Sequence, residues 1–297
     1  MDENIQGRNI LITGATSGIG RAAALRLAGM GAKVIVPARN TDKGTELINQ
    51  FHKIYHGGRG TIETIHCDLS SFQSVSKAAQ TIRDQYGKLD FLINNAGVYN
   101  RIHKTTSDGI EETFQVNVLS QTLLIHLLGD LIIQSNGRII NTTSSFHHGF
   151  INFNDIEGRK HYSGFNAYRQ SKLSIILLSK IIAQKLKGTG AVVYCQHPGV
   201  VRTNLGKSNS KLFNAGLNLI GSTPEKGAET LLYIATTPKQ NLSSGSYYAY
   251  KKIWKTKPQS NNEQMARELF LVVKTYLSDY LTEPSFLFQS VREEQLV

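Results

Sequence analysis

The chain has 297 residues, 40% of them hydrophobic, and a formal net charge of +11, the make-up of an ordinary globular protein of one large or two small domains. No apolar run reaches 18 residues: the strongest, from Val118, is broken by Gln121, His126 and Asp130, which argues against a transmembrane segment. Two widely spaced cysteines, Cys67 and Cys195, fit neither a disulfide framework nor a zinc site, and basic residues scattered without a dense block argue against a nucleic-acid partner.

The start, Met1 to Gly7, is polar and lacks a secretion-signal pattern. Together with the free cysteines it predicts a reducing, cytoplasmic setting, peripheral to membranes at most. The first strand is expected over 9–13. It runs into "TGATSGIGRAAALRL", where Gly14, Gly18 and Gly20 open a helix expected over 18–29. Glycine lets the backbone turn tightly and approach a pyrophosphate, which then sits on the helix N-terminus. The spacing, Gly-x-x-x-Gly-x-Gly, departs from the more familiar Gly-x-Gly-x-x-Gly. Thr16, Ser17 and Ile19 belong to the same turn and are assigned with it to the cofactor.

The second strand, 33–37, ends "VIVPARN". An NAD site usually carries an acid near here for the ribose 2′-hydroxyl, whereas an NADP site uses an arginine. Arg39 stands here with no acid directly after the strand, and a guanidinium suits a phosphate. The expected cofactor is therefore NADP(H). A helix over 41–55 and a strand over 61–66 follow. At "CDLS", Asp68 could accept a bond from adenine or cap the helix near Ser70; Leu69 lies beside it. After a helix over 72–86, the strand 89–94 ends "INNAG", where Asn95, Ala96 and Gly97 let a cofactor lie close.

A helix over 112–134 and a strand over 137–143 lead to "TSS" and an insert from Gly149 to Tyr162. The helix 166–187 contains "AYRQSK". Tyr168 and Lys172 are four apart and so share a helix face, with Ser171 beside them. A nearby cation favours the ionised phenol, which moves tyrosine toward acid–base service at neutral pH. A strand over 191–197 then runs into "HPGVVRT", and "SGSYYAY" (244–250) reads as one more strand. Apolar strands alternating with helices predict an α/β fold: a doubly wound parallel sheet of about seven strands with helices on both faces. The domain is expected to span 1–297, with a substrate loop at 199–225 and a helical tail at 260–297. Ser260 to Glu263 has capping-box spacing, and Thr223 and Pro224 suit the N-cap and first position of another helix.

Taken together, "TGATSGIG", "NNAG", Asn117, "TSS", "YRQSK" and "HPGVVRT", in that order, resemble the short-chain dehydrogenase/reductase family. "RIINTTSSFHH", the insert and "HPGVVRTNL" are similar to its retinol dehydrogenase-like and WW-domain-oxidoreductase-like branch. The resemblance implies that Tyr168 is the catalytic acid/base and that Lys172 lowers its pKa and bonds the nicotinamide ribose. It implies that Asn117 holds a water on a proton path. A serine stabilises the substrate oxygen: register favours Ser144, with Ser145 the alternative. Pro198 and Gly199 would form the turn under the nicotinamide, with Val200 or Val201 as a backbone contact and Thr203 on the carboxamide or phosphates. A Ser–His nucleophile using His147 or His148 lacks a nucleophile elbow, and two adjacent histidines make no metal site.

The expected function is NADP(H)-dependent hydride transfer with a small-molecule carbonyl or alcohol, retinoid-like or otherwise lipophilic. The competing reading is a non-catalytic NADP-binding regulatory or scaffold protein of the same fold. Leu205, Leu212, Phe213, Leu217, Leu219 and Ile220 suggest an apolar lid. Apolar residues on the helices over 112–134 and 166–187 suggest a homodimer.

Overall fold

Short aliphatic runs make the strands. Asn9–Ile12 (β1), Lys33–Ala38 (β2), Thr61–His66 (β3), Phe91–Asn94 (β4), Arg138–Thr142 (β5), Val192–His197 (β6) and Tyr247–Ala249 (β7) pair in parallel. In this computed structural model, which describes residues 4–201, 222–281 and 286–288, they form one sheet ordered β3-β2-β1-β4-β5-β6-β7-β8. The eighth strand, Lys252–Ile253 (β8), pairs antiparallel with β7. It exceeds the expected seven because the chain reverses through Tyr250 and Lys251, both in the left-handed region at φ 50° and 62°.

The helices are Gly18–Gly29 (α1), Thr41–Ile54 (α2), Phe72–Gln85 (α3), Glu112–Gln134 (α4), Gly164–Lys185 (α5), Pro224–Thr236 (α6) and Glu263–Tyr276 (α7). Strand residues alternate between two cores, as a period of two requires. Ile10, Ile12, Val34 and Ile93 face α1, α2 and α6, whereas Leu11, Ile35 and Leu92 face α3, α4 and α5. Met265, Leu269, Phe270 and Val273 of α7 join the second core beside Leu173, Leu177 and Ile181 of α5. α4 is long and apolar enough to cross a membrane, but 83% of its most apolar stretch is buried within the protein, as in the core helix of an α/β fold.

Three local expectations are corrected. α4 is not regular: Gln115–Leu119 forms a π-helical turn between α-helical Glu112–Phe114 and Ser120–Gln134. α5 begins at Gly164 rather than 166, because the Ser163 side chain accepts from Asn166 N. α7 is capped by Asn262, whose Oδ1 accepts from Met265 N at 2.8 Å. Ser260 instead sits in a 3-10 turn over Pro258–Asn261. α6 begins as expected, with Thr223 accepting from Lys226 N and Pro224 at its first position.

β1 lies between β2 and β4, with later strands continuing on the β4 side. The order of connection therefore reverses between β1 and β4, where a crevice opens outside the carboxyl ends of the strands. The insert is pinned nearby. Glu157 accepts from Glu111 N at 2.9 Å and from the Tyr276 hydroxyl at 2.8 Å, and Tyr162 donates to Glu111 at 3.0 Å. Most of the loop expected as a lid, with Thr203, Leu205 and Phe213, lies outside the described residues.

Candidate active site

The crevice is a cleft of about 320 Å³. Its floor is backbone. Gly14 (φ 66°) approaches β4 so closely that a β-carbon on it would lie 2.8 Å from Ala96 Cα. Gly20 lies beneath the turn, where a β-carbon would meet Asn95 Nδ2 and Gly14 O at 2.5 Å. Thr13 locks the two loops together: its Oγ1 accepts from Asn95 N and Ala96 N, both at 3.0 Å, and its carbonyl accepts from Asn95 Nδ2 at 3.0 Å. Only β-carbon-free residues fit this approach, which leaves room for a ligand's phosphates above the helix N-terminus.

Gly14, Thr16, Ser17, Gly18, Ile19, Arg39, Asp68, Leu69, Asn95, Ala96 and Gly97 all line the cleft. Arg39 is exposed at the rim, 3.9 Å from Asp68 Oδ2. Asp68 Oδ1 accepts from Ser70 N at 2.9 Å and Ser70 Oγ at 2.7 Å, so it serves the local turn, while Oδ2 faces the cation. Cys67, Ser70, Glu112 and Val116 also line the cleft. Pattern reading did not assign them; their one signal is position just after a strand or at the start of α4.

Beyond the Gly97 end of the cleft lies a cluster of side chains. Tyr168 shares a hydrogen bond with Ser144, and burial pushes its phenol up to about 12 while that bond works the other way. Ser144, the partner of Tyr168, is buried, whereas Ser145 is exposed. Tyr99 meets the Tyr168 ring edge-on at 5.7 Å. Lys172 is buried, donates to Thr142 O at 3.1 Å, and is lowered by burial to about 8. Its ammonium lies over the Tyr168 ring, 5.6 Å from the centre. The expected lowering of the phenol is thus corrected for the protein alone. Burial disfavours the phenolate, and the cation sits over the ring.

Asn117 stands in the π-helical turn of α4. Its Oδ1 accepts from Val98 N at 2.8 Å, and its Nδ2 donates to Val98 O and Ser171 Oγ, both at 3.0 Å. A β-carbon on Gly97 would lie 3.4 Å from both Asn117 Oδ1 and Lys172 Nζ, so these three residues converge. Such turns recur at functional sites.

His147, weighed in the sequence only as a nucleophile's partner or a metal ligand, holds the Ser144 loop. It is buried, with Nδ1 2.6 Å from Ser144 O and Nε2 accepting from Lys257 N at 3.1 Å. Two such partners require Nδ1 to carry the proton and the ring to be neutral. Burial lowers its pKa, in keeping with that. His148 is exposed. The two histidines look alike in sequence, and only burial separates them.

Pro198 and Gly199 (φ 79°) directly follow β6. Val200 is exposed, whereas Val201 is buried; Val201 and Ile19 both crowd the point where a β-carbon on Gly227 would lie. Val201 therefore packs α1 to α6. Thr203 lies outside the described residues.

The family model of the short chain dehydrogenases matches residues 8–212. Human retinol dehydrogenase 14 is 35% identical over 285 residues, covering 90% of this chain and 85% of that protein. Among solved structures, an uncharacterized protein from Mycobacterium Paratuberculosis superposes with a TM-score of 0.77 at 27% identity, covering 93% of this chain and 96% of that one. The Pseudomonas aeruginosa RhlG/NADP active-site complex superposes with a TM-score of 0.66 at 25% identity, covering 83% and 96%.

Proposed function

The chain belongs to the short chain dehydrogenase family, whose oxidoreductase chemistry acts on the CH–OH/C=O couple, and we propose that it uses NADP(H) on a lipophilic carbonyl or alcohol. The observation that carries this reading is the convergence of Ser144, Tyr168 and Lys172 beyond the far end of a glycine-floored cleft.

A dinucleotide fits the residues present. The turn from Gly14 to Gly20 would hold the pyrophosphate, and Arg39 at the rim would take a 2′-phosphate, with Asp68 and Leu69 at the adenine end. The RhlG complex, of the same fold, holds NADP. When bound, the nicotinamide supplies or accepts the hydride. The protein's part is proton chemistry and positioning. Ser144 Oγ would hydrogen-bond the substrate oxygen and stabilise charge developing there. Tyr168, protonated at neutral pH, would give its proton to that oxygen in reduction. Lys172 would hold the ribose hydroxyls and return a proton to the phenol. The Asn117 amide is already engaged with Val98 and Ser171, so a water on this path would be held by the backbone of the π-helical turn. Pro198, Gly199 and Thr203 would bound the nicotinamide.

Lipophilicity is supported by the rim. Phe146, Phe150 and Phe165 are exposed beside the Ser144 loop, with Phe146 and Phe165 edge-on at 5.6 Å. A relative named retinol dehydrogenase points the same way. A cytoplasmic placement is proposed from Cys67 and Cys195, both free and buried. A homodimer is likewise proposed. The apolar residues of α4 and α5 are largely covered within one chain, partly by α7, and light scattering showing only a 32.9 kDa species at all concentrations would contradict it.

The test is consumption of NADPH against a panel of carbonyls. A long-chain or ring-bearing aldehyde should show a much lower KM than a two- or three-carbon one, since apolar burial is worth roughly 25 cal/mol per Å². Cofactor binding without turnover of any carbonyl would favour the non-catalytic reading.

A further inference from the structure

Against the expectation of basic residues scattered without a dense block, four lysines fall within residues 250–257, "YKKIWKTK", with no acid among them. The fold makes this stretch a hairpin at the end of the sheet. β7 stops at Ala249, Tyr250 and Lys251 turn the chain, and β8 returns along the edge. Its large side chains are held outward: Tyr250, Ile253 and Trp254 are 60%, 60% and 50% exposed, and the rings of Tyr250 and Trp254 meet at 5.4 Å. Lys251 pairs with Glu229 at 2.9 Å. Among the described residues Lys252, Lys255 and Lys257 form no ion pair. The hairpin also adjoins the candidate active site: a β-carbon on Gly199 would lie 3.6 Å from the Tyr250 ring, and Lys257 N donates to His147.

We propose that the hairpin 250–257 is a docking surface for an anionic lipid bilayer, with Tyr250, Ile253 and Trp254 entering the headgroup layer and Lys252, Lys255 and Lys257 meeting its negative charge. Rings with an apolar body and a polar edge favour that layer, and lysines at an anionic leaflet each add to the attraction. Other occupants fit less well. Lysine on an edge strand opposes pairing with a further strand. A second copy docked by a two-fold axis would set the same lysines against one another. Docking here would bring the hydride end of the cleft to the source of a lipophilic substrate. That benefit rests on the oxidoreductase reading; the docking does not.

Trp254 is the only tryptophan in the chain, so selectively excited tryptophan emission of the protein reports on this hairpin alone. It would be titrated with phosphatidylcholine vesicles, with and without phosphatidylserine. The expected result is a blue shift and protection from an aqueous quencher with the phosphatidylserine vesicles only, reversed by salt as screening requires. The double variant Lys252→Glu, Lys255→Glu should weaken partition by roughly tenfold or more, with turnover of a water-soluble carbonyl unchanged. Unshifted emission with phosphatidylserine vesicles would overturn the proposal, whether or not the protein sediments with them. So would an equal, salt-insensitive shift with neutral vesicles, or a shift that appears with protein concentration alone. A normal vesicle response from a protein that turns over no carbonyl would sink the oxidoreductase reading and leave the docking in place.

Discussion

The cleft and the side-chain cluster beyond its Gly97 end are built from different materials. The dinucleotide cleft has a backbone floor, closed by Thr13 and by glycines where no β-carbon fits, and Arg39 at its rim stands in solvent. The cluster holding Ser144, Tyr168 and Lys172 includes side chains whose charged forms burial disfavours. The first is shaped by local geometry at little cost. The second holds an unfavourable arrangement in place through the rest of the core, as functional sites often do.

The largest expected effect that sharpens this contrast is at Lys172. Its pKa falls from 10.5 to about 8 through burial, a shift equivalent to about 3 kcal/mol. Below pH 8 both folded and unfolded chains carry the proton, and the burial cost is present in full. Between pH 8 and 10.5 the folded chain gives up its proton first, so stability rises with pH. Lys172→Met should therefore raise Tm at pH 7, with the gain shrinking toward pH 10.5, while turnover falls roughly a hundredfold or more. Calorimetry across that range checks it, and a lowered Tm at pH 7 would break the contrast.

In the cleft the expected effect is selective. Arg39→Ala should weaken NADPH by roughly 10- to 100-fold, the worth of a charge-assisted bond to phosphate, and leave NADH nearly unchanged. Titration with both cofactors measures it. Equal wild-type affinity for the two would remove Arg39 from its proposed role.

What the chain reveals before folding follows the same division. The strands and α1 to α3 were legible because short apolar runs, helical spacing and glycines are local signals, and α1 begins and ends where expected. The cleft's floor was legible for the same reason. Features set by distant packing were not. Tyr250 and Lys251 are not typical turn residues, so β8 went unseen. Nothing in "FQVNVLS" announces a π-helical turn. The upward shift of Tyr168 and the split between His147 and His148 depend on burial, which an i,i+4 spacing does not disclose.

A smaller effect is expected at His147, which touches Ser144 only through its backbone carbonyl. His147→Phe keeps the ring and leaves Ser144 O and Lys257 N without this partner. Losses of about 1–3 kcal/mol accompany such unpaired groups. If part of this appears at the Ser144 hydroxyl, kcat should fall roughly five- to tenfold with NADPH affinity unchanged. An equal loss in cofactor binding would mean that the ring merely holds up the fold.

The central claim is that Tyr168 is the proton donor, and the most direct measurement is NADPH-dependent reduction of a ring-bearing aldehyde by wild-type protein and Tyr168→Phe side by side, with cofactor binding measured on both. Removing one hydroxyl should leave binding intact and lower turnover by roughly 10²- to 10⁴-fold, the usual share of general acid catalysis. Turnover near the wild-type rate in Tyr168→Phe, with cofactor still bound, would contradict it.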